Sequence, residues 1–226
     1  MTKAIFFDFD GTLADTAPGI VLTMQETFRE MGLPVPGEET IRQTIGLPLT
    51  ASIRLLGNLS EEDTERGVQI YRRFFSIYEL THITMFPEVA QTIAELSRRG
   101  IRLAICTSRG TNSLKSILSR YGLRDCFETA VTATDNLPSK PAPDMVLTLL
   151  ERMGLSKDEI FVVGDTTFDI DMGNNAGCRT IAVTYGNHTP EQLRSASPTH
   201  IINHFSEILL KARNSGRPID LQSAGE

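Results

Sequence analysis

An α/β fold is predicted, with a doubly wound parallel sheet at its centre and a helical module inserted into it. Three observations predict it. Short, continuous apolar runs rich in β-branched residues are what strands covered on both faces require. The segments between them carry apolar residues at helical spacing and end on glycine. One connection breaks this alternation: about ninety residues separate the first strand from the second, far beyond an ordinary loop, and residues 16–82 read as helices without a strand.

The first run, residues 5–9, ends on Asp8 and Phe9, and Asp10 follows before a Gly11-Thr12 turn. Residues two apart in a strand share a face, so Asp8 and Asp10 are expected to project together as the run leaves the core. Two carboxylates about 4 Å apart repel by about 4 kcal/mol at an effective dielectric of 20, which calls for a cation or a shared proton nearby. Within the insertion, Pro18 suits a first helical turn, and Ile20, Met24, Phe28 and Met31 follow at helical spacing up to Gly32. Residues 33–39, "LPVPGEE", form a turn. A second long helix opens on a Ser60/Asp63 capping-box pattern and carries Val68, Tyr71, Phe75 and Tyr78 as one packing stripe. Back in the sheet, helix 87–99 presents Val89, Ile93 and Leu96 and closes on Gly100, and strand 102–106 follows. Helix 113–121 presents Leu114, Ile117 and Leu118 and closes on Gly122. Strands 130–133, 160–163 and 180–183 complete the pattern, with 200–202 as a sixth. The core therefore comprises residues 1–15 and 83–212, the helical insertion residues 16–82. Residues 213–226, rich in Gly, Ser, Pro and charge, are expected to fray.

Among 226 residues, 22 Lys and Arg face 28 Asp and Glu, a formal net charge of -6. With no Lys/Arg run, this argues against a nucleic-acid surface. A small anionic substrate stays compatible, because a pocket can be positive within an acidic chain. The N-terminal apolar run is too short, and too soon broken by Asp8, for a signal or membrane segment, so a cytoplasmic protein is expected. Cys106, Cys126 and Cys178 are odd in number and widely spaced, which suggests reduced, buried thiols rather than disulfides or a zinc site. Nothing in the pattern specifies an oligomeric state.

Ligands bind beyond the carboxyl ends of parallel strands. After the first strand come Asp8, Asp10, Gly11 and Thr12; after the second, Thr107 and Ser108; after the third, Lys140 between Ser139 and Pro141; after the fourth, Asp165 and Asp169. Taken singly, Thr107 reads as a helix cap, Lys140 as a solvated lysine, and the Asp165/Asp169 pair as a turn entering a helix. Together, four carboxylates, a hydroxyl and a lysine on one rim suit a hard cation such as Mg2+ and a phosphate beside it.

Asp8-Phe9-Asp10-Gly11-Thr12, Thr107 at the end of an apolar strand, Lys140 before a proline, and Gly164-Asp165 with Asp169 resemble the four motifs of the haloacid dehalogenase-like phosphohydrolases. All four occur in order, over roughly residues 4–210. The resemblance implies a Rossmann-like core, a helical cap in place of the insertion, and a small phosphorylated metabolite as substrate. It implies that Asp8 attacks phosphorus and that Asp10 protonates the leaving group and then activates water. Mg2+ would be held by Asp8, the Asp10 carbonyl and Asp165, with Asp169 acting through water or Lys140. Thr107, Ser108 and Lys140 would grip the phosphoryl oxygens, with backbone amides around Gly11 and Thr12.

Departures from sibling patterns narrow the reaction. Dehalogenases of the superfamily carry an aromatic residue at the position of Asp10. Phosphonoacetaldehyde hydrolases need a cap lysine, and no Lys occurs between Lys3 and Lys115. β-Phosphoglucomutases carry a His at the position of Ile20 and basic residues around that of Gly46, so a phosphosugar mutase ranks behind a phosphatase resembling phosphoglycolate phosphatase. An inorganic pyrophosphatase is a further alternative. Specificity is expected from the cap, where Gly46 with Arg54 or Arg42 would meet the substrate. From another class, a receiver-like module storing phosphate on Asp8 would also gather these residue types, but in a smaller chain with its acceptor after a middle strand.

Overall fold

The computed structural model describes residues 2–78 and 81–212. Its strands are β1 (Ala4–Phe7), β2 (Ala14–Asp15), β3 (Thr84–Met85), β4 (Arg102–Cys106), β5 (Thr129–Val131), β6 (Ile160–Gly164), β7 (Arg179–Val183) and β8 (His200–Ile202). The helices are α1 (Ala17–Glu30), α2 (Glu38–Arg42), α3 (Leu49–Gly57), α4 (Glu61–Tyr78), α5 (Val89–Arg98), α6 (Thr111–Arg120), α7 (Asp144–Met153), α8 (Thr167–Asn175), α9 (Pro190–Ser195) and α10 (Ile208–Lys211).

Six strands form one sheet in the order β5-β4-β1-β6-β7-β8, and every pair is parallel. The chain winds from β1 outward through β4 and β5, then returns to β6 and winds the other way. The order therefore reverses beside β1, where sheets of this kind leave a crevice for a ligand. Phe7 lies opposite both Ile105 and Val163, so β1, β4 and β6 end level with one another. Alternation along β1 builds two cores at once. Ile5 and Phe7 join Val89, Ile93, Leu114 and Ile117 on one face. Ala4 and Phe6 join Val146, Leu149 and Met172 on the other. Buried on both sides, β1 has no use for polar residues until it ends.

Helices α1 to α4 bury a separate cluster, with Val21, Met24, Phe28, Ile41, Ile53, Val68 and Tyr71 inside. Half of the predicted capping box starts α4: Asp63 N–H donates to Ser60 Oγ at 3.1 Å, and the Asp63 carboxylate is met by the Ser60 hydroxyl, Oγ to Oδ2 at 2.9 Å. A Cβ at Gly67 would come within 2.9 Å of Ile53 and 3.1 Å of Met31, so a glycine is what lets α4 lie this close. Where the chain leaves and re-enters the core, β2 and β3 pair antiparallel, Ala14 opposite Met85. Phe75 of α4 packs on both this helical cluster and the main core.

Differences from expectation are local. The first strand stops at Phe7 rather than residue 9, and the third spans Thr129–Val131 rather than 130–133. The two-residue strands β2 and β3 were too short to show any alternation. Cys106 and Cys178 are buried, but Cys126 is only half-buried; all three are free thiols. Burial pushes the Cys106 thiol up to about 12. No helix among the described residues is long and apolar enough to cross a membrane. The frayed tail expected at 213–226 lies outside the described residues.

Candidate active site

Asp8 sits one residue past β1, yet its N–H still donates to the Val163 carbonyl at 2.9 Å, so the sheet fixes its backbone. Its side chain is buried, and Oδ1 accepts from Lys140 Nζ at 2.6 Å. The same ammonium donates to Asp169 Oδ1 at 2.7 Å. Asp8 lines a cleft, and the Lys140 bond to its carboxylate falls on Oδ1 rather than Oδ2. Carboxylate oxygens of Asp8, Asp165 and Asp169 lie within 4.8 Å of one another. Burial holds the Asp8 carboxyl well above the usual range; Lys140 opposes this, and the charges of Asp169, Asp165 and Asp10 add to it. Asp165 is pushed up to about 7, chiefly by burial and then by Asp169. Burial opposes the charge on Lys140, but Asp169 and Asp8 outweigh it and hold the ammonium protonated.

Asp165 follows β6 and is anchored by three donors. Thr12 Oγ1 donates to Oδ1 at 2.9 Å, while the Asn187 N–H and side-chain amide reach Oδ2 at 2.8 and 2.9 Å. Gly11 and Gly186 make room: a Cβ at either would collide with the Asp165 carboxyl. Asp169 performs two tasks with two oxygens. As N3 of α8 its Oδ2 accepts from the Thr166 N–H at 3.0 Å and hydroxyl at 2.7 Å, while Oδ1 holds Lys140. Asp169 thus starts α8 with one oxygen and holds Lys140 with the other.

Asp10 departs from the expectation that it shares a strand face with Asp8. β1 has already ended, and Asp10 lies in the turn bridging to Ala14. Its carboxylate is gripped by Arg109, whose Nε lies 3.2 and 3.1 Å from the two oxygens, with Nη2 also bound to Oδ1. Its side chain is outside the three-carboxylate cluster. Thr107 is fully buried after β4; its Oγ1 accepts the Arg109 N–H at 3.1 Å and keeps its own O–H to donate. Ser108 turns toward the insertion, where its hydroxyl donates to the Gly46 carbonyl at 2.8 Å. Gly46, at φ +102, fits closely over Thr166 and Phe168. Thr12 reaches Asp165 with its side chain, while its N–H donates to the Phe9 carbonyl at 3.4 Å and its carbonyl accepts from the Tyr185 hydroxyl at 3.0 Å.

A cleft of about 1110 Å³ opens above Asp8, Asp10, Thr107, Ser108 and Arg109. The insertion supplies its opposite wall, mostly apolar, with Ile20, Met24, Ile45, Leu47, Val68 and Phe75. The two arginines expected to reach it do not. Arg54 is exposed on α3 and absent from the lining. Arg42 pairs with Glu38 at 2.9 Å and borders a smaller cavity of about 210 Å³. Helical phase explains this: Ser52 and Ile53 are the residues of α3 that turn inward. Two contributors went unread in the sequence. Arg109 follows Thr107-Ser108 directly, and Asn187 lies beyond β7, a strand end on the same rim.

The donor set fits a hard divalent cation. Three buried carboxyl groups face one ammonium at the floor of the open cleft, an excess of acidic groups over cations. All available donors are oxygens, the ligand type that such ions take. Lys140 offsets the charge of Asp8 and Asp169, whereas the donors to Asp165 are the neutral groups of Thr12 and Asn187.

Residues 5–183 match the family described as haloacid dehalogenase-like hydrolase. A protein named "Probable phosphatase IndB" from Dickeya dadantii (strain 3937) is 35% identical over 214 residues, covering 92% of this chain and 93% of that one. A phosphoglycolate phosphatase from Pectobacterium atrosepticum is 30% identical over 212 residues, with 92% and 91% covered. Among solved structures, a haloacid dehalogenase-like family hydrolase from Streptococcus pneumoniae superposes with a TM-score of 0.83 at 28% identity, covering 94% of this chain and 99% of that one. A predicted phosphatase from Clostridium acetobutylicum does so with a TM-score of 0.84 at 26% identity, covering 93% and 98%. This chain belongs to the haloacid dehalogenase-like hydrolase family.

Proposed function

We propose that the protein is a divalent-metal-dependent phosphatase acting on small phosphate monoesters, with Asp8 as nucleophile. The observation that carries this reading is Asp8 itself: one oxygen fixed by Lys140, on the lining of the cleft and amid buried carboxylates. Relatives named phosphoglycolate phosphatase support the substrate class.

In this mechanism Asp8 Oδ2 attacks phosphorus while the leaving oxygen takes a proton from Asp10, giving an aspartyl phosphate and a free alcohol. Asp10 then removes a proton from water as it attacks the same phosphorus, phosphate departs and the Asp8 carboxylate is restored. Proton transfer of this kind contributes typically 10²–10⁴ in rate. Thr107 O–H and the Lys140 ammonium stabilise the charge that grows on the phosphoryl oxygens. Asp8, Asp165 and the Asp10 carbonyl would hold Mg2+, with Asp169 completing the site through water or Lys140. When bound, such an ion offsets the negative charge that would otherwise repel a phosphate from Asp8.

The cleft supports a second reading of the substrate. Its volume exceeds the usual range for small-ligand sites, and its apolar wall suits a leaving group larger than glycolate. Phosphate release from a panel of esters decides, including phosphoglycolate, pyrophosphate, sugar phosphates, nucleoside monophosphates and aryl phosphates, each with Mg2+ or EDTA. Metal-dependent hydrolysis of one substrate at kcat/KM above about 10⁴ M⁻¹s⁻¹, lost in Asp8→Asn, is expected. Release that persists in Asp8→Asn would overturn the assignment.

A further inference from the structure

Arg109 has no place in the four motifs, yet it is among the most constrained charges in the molecule. It is 7% exposed, and its guanidinium forks onto both oxygens of Asp10. Nη1 donates to Ser113 Oγ at 2.6 Å in the first turn of α6, which sets the roll of the fork. The guanidinium carbon lies 5.5 Å from the centroid of Phe9 and 5.2 Å from that of Phe75, packed by two rings. Phe9 belongs to the same loop as Asp10. Phe75 belongs to α4, stacks on Tyr71 at 5.5 Å, and joins the helical cluster to the main core.

Two consequences follow from this packing. A forked guanidinium fixes a carboxylate in plane and direction, which a lysine, with its single rotatable ammonium, does not. And because Phe75 travels with α4, any shift of the helical insertion against the core changes what rests on Arg109. We propose that Arg109 is a positioning residue that aims the Asp10 carboxylate, and that Phe75 couples this aim to the position of the insertion. The proposal rests on the reading of Asp10 as the proton donor. It needs no contact between Arg109 and substrate. It assigns a kinetic task to an aromatic residue of α4 that sequence pattern alone reads as packing.

The test compares first-turnover release of phenol from phenyl phosphate and of nitrophenol from 4-nitrophenyl phosphate, with Mg2+, by the full-length protein. The poorer leaving group depends on a well-aimed proton donor; the better one depends on it less. Arg109→Gln should slow phenol release about 10²-fold, the lower end of what acid catalysis contributes, and nitrophenol release several-fold less than that. KM should change little for either ester. Arg109→Lys should fail to restore the phenol rate, because it supplies charge without the fork. Phe75→Leu should show the same selective loss at about fivefold, in the range of one cation–π contact, and the double variant should lose less than the product of the two. Equal losses for both esters, full rescue by Lys, or additive effects of Arg109 and Phe75 would overturn the proposal. Asp10→Asn keeps the two levels apart. If it leaves phenol release intact, the reading of Asp10 fails. If it abolishes that selectivity while Arg109→Gln does not, only the positioning role fails. Thermal unfolding of each variant verifies that the folded protein is being compared.

Discussion

Without a divalent cation, the buried carboxylates should cost the fold stability as pH rises. Asp165 is raised from 3.8 to about 7 and Asp8 is raised in the same direction, both chiefly by burial. A carboxyl whose folded-state value is raised contributes stability that is complete below its unfolded value near 4 and is lost as pH climbs through the folded one. For Asp165 alone, the stretch from pH 5 to its folded value near 7 amounts to about 3 kcal/mol, at 1.36 kcal/mol per unit. In a domain of this size that is about 6–12 °C in Tm. Metal binding needs the ionised carboxylates, so Mg2+ should recover the loss: at 100 times its Kd it adds about 2.7 kcal/mol, more effectively at pH 8 than at pH 5. His188 and His200 are pushed below the ordinary range by burial and act in the opposite sense at the acid end of this window. They do so with or without metal, so the informative quantity is the gap between the two curves. Glu95, held near 2 by Arg98, and Glu159, held near 2 by Lys3, matter only below the window. The assay is thermal unfolding at pH 5, 6, 7 and 8 in EDTA and in millimolar Mg2+. A gap that widens toward pH 8, and shrinks in Asp165→Asn, is expected. A gap independent of pH, or unchanged in Asp165→Asn, would refute the reasoning.

Other expectations concern single residues. Lys140→Met strands Asp8 and Asp169 without their cation and should cost about 3–5 kcal/mol in metal-free protein at pH 8, read as a urea midpoint. Gly186→Ala drives a Cβ into the Asp165 carboxyl; unfolding should show a loss of about 1–3 kcal/mol, and titration calorimetry a weaker affinity for Mg2+. Arg54→Ala should leave kcat and KM unchanged across the ester panel, because the side chain is exposed and outside the cleft; altered substrate preference would show that α3 swings inward during turnover.

Much of this was legible in the sequence, for a physical reason. Strands buried on both faces must be apolar until they end, so in runs such as "AIFF" and "IFVV" the first polar residue marks the rim. That rule places Asp8, Thr107 and Asp165, and the resemblance to known motifs adds Lys140 and Asp169. It does not place a residue in the loop beyond the strand: Asp10 was expected beside Asp8, but the chain turns after Phe7 and Arg109 takes its carboxylate. Arg109 and Asn187 act through long-range geometry, 99 and 22 residues from their partners, which spacing does not reveal. In the insertion, amphipathic periodicity finds α1 and α4, but for Arg54 the expectation came from resemblance, and the nine residues of α3 show no pattern that would have set its face. Short helices offer too few turns to fix a phase.

The central claim is that Asp8 carries the phosphoryl group. Mixing the protein with 4-nitrophenyl phosphate and Mg2+, quenching in acid within milliseconds and mapping the phosphorylated peptide tests it most directly. The account predicts a hydroxylamine-labile phosphoryl group on Asp8, absent in Asp8→Asn. Phosphate on another residue, or full-rate turnover by Asp8→Asn, would contradict it.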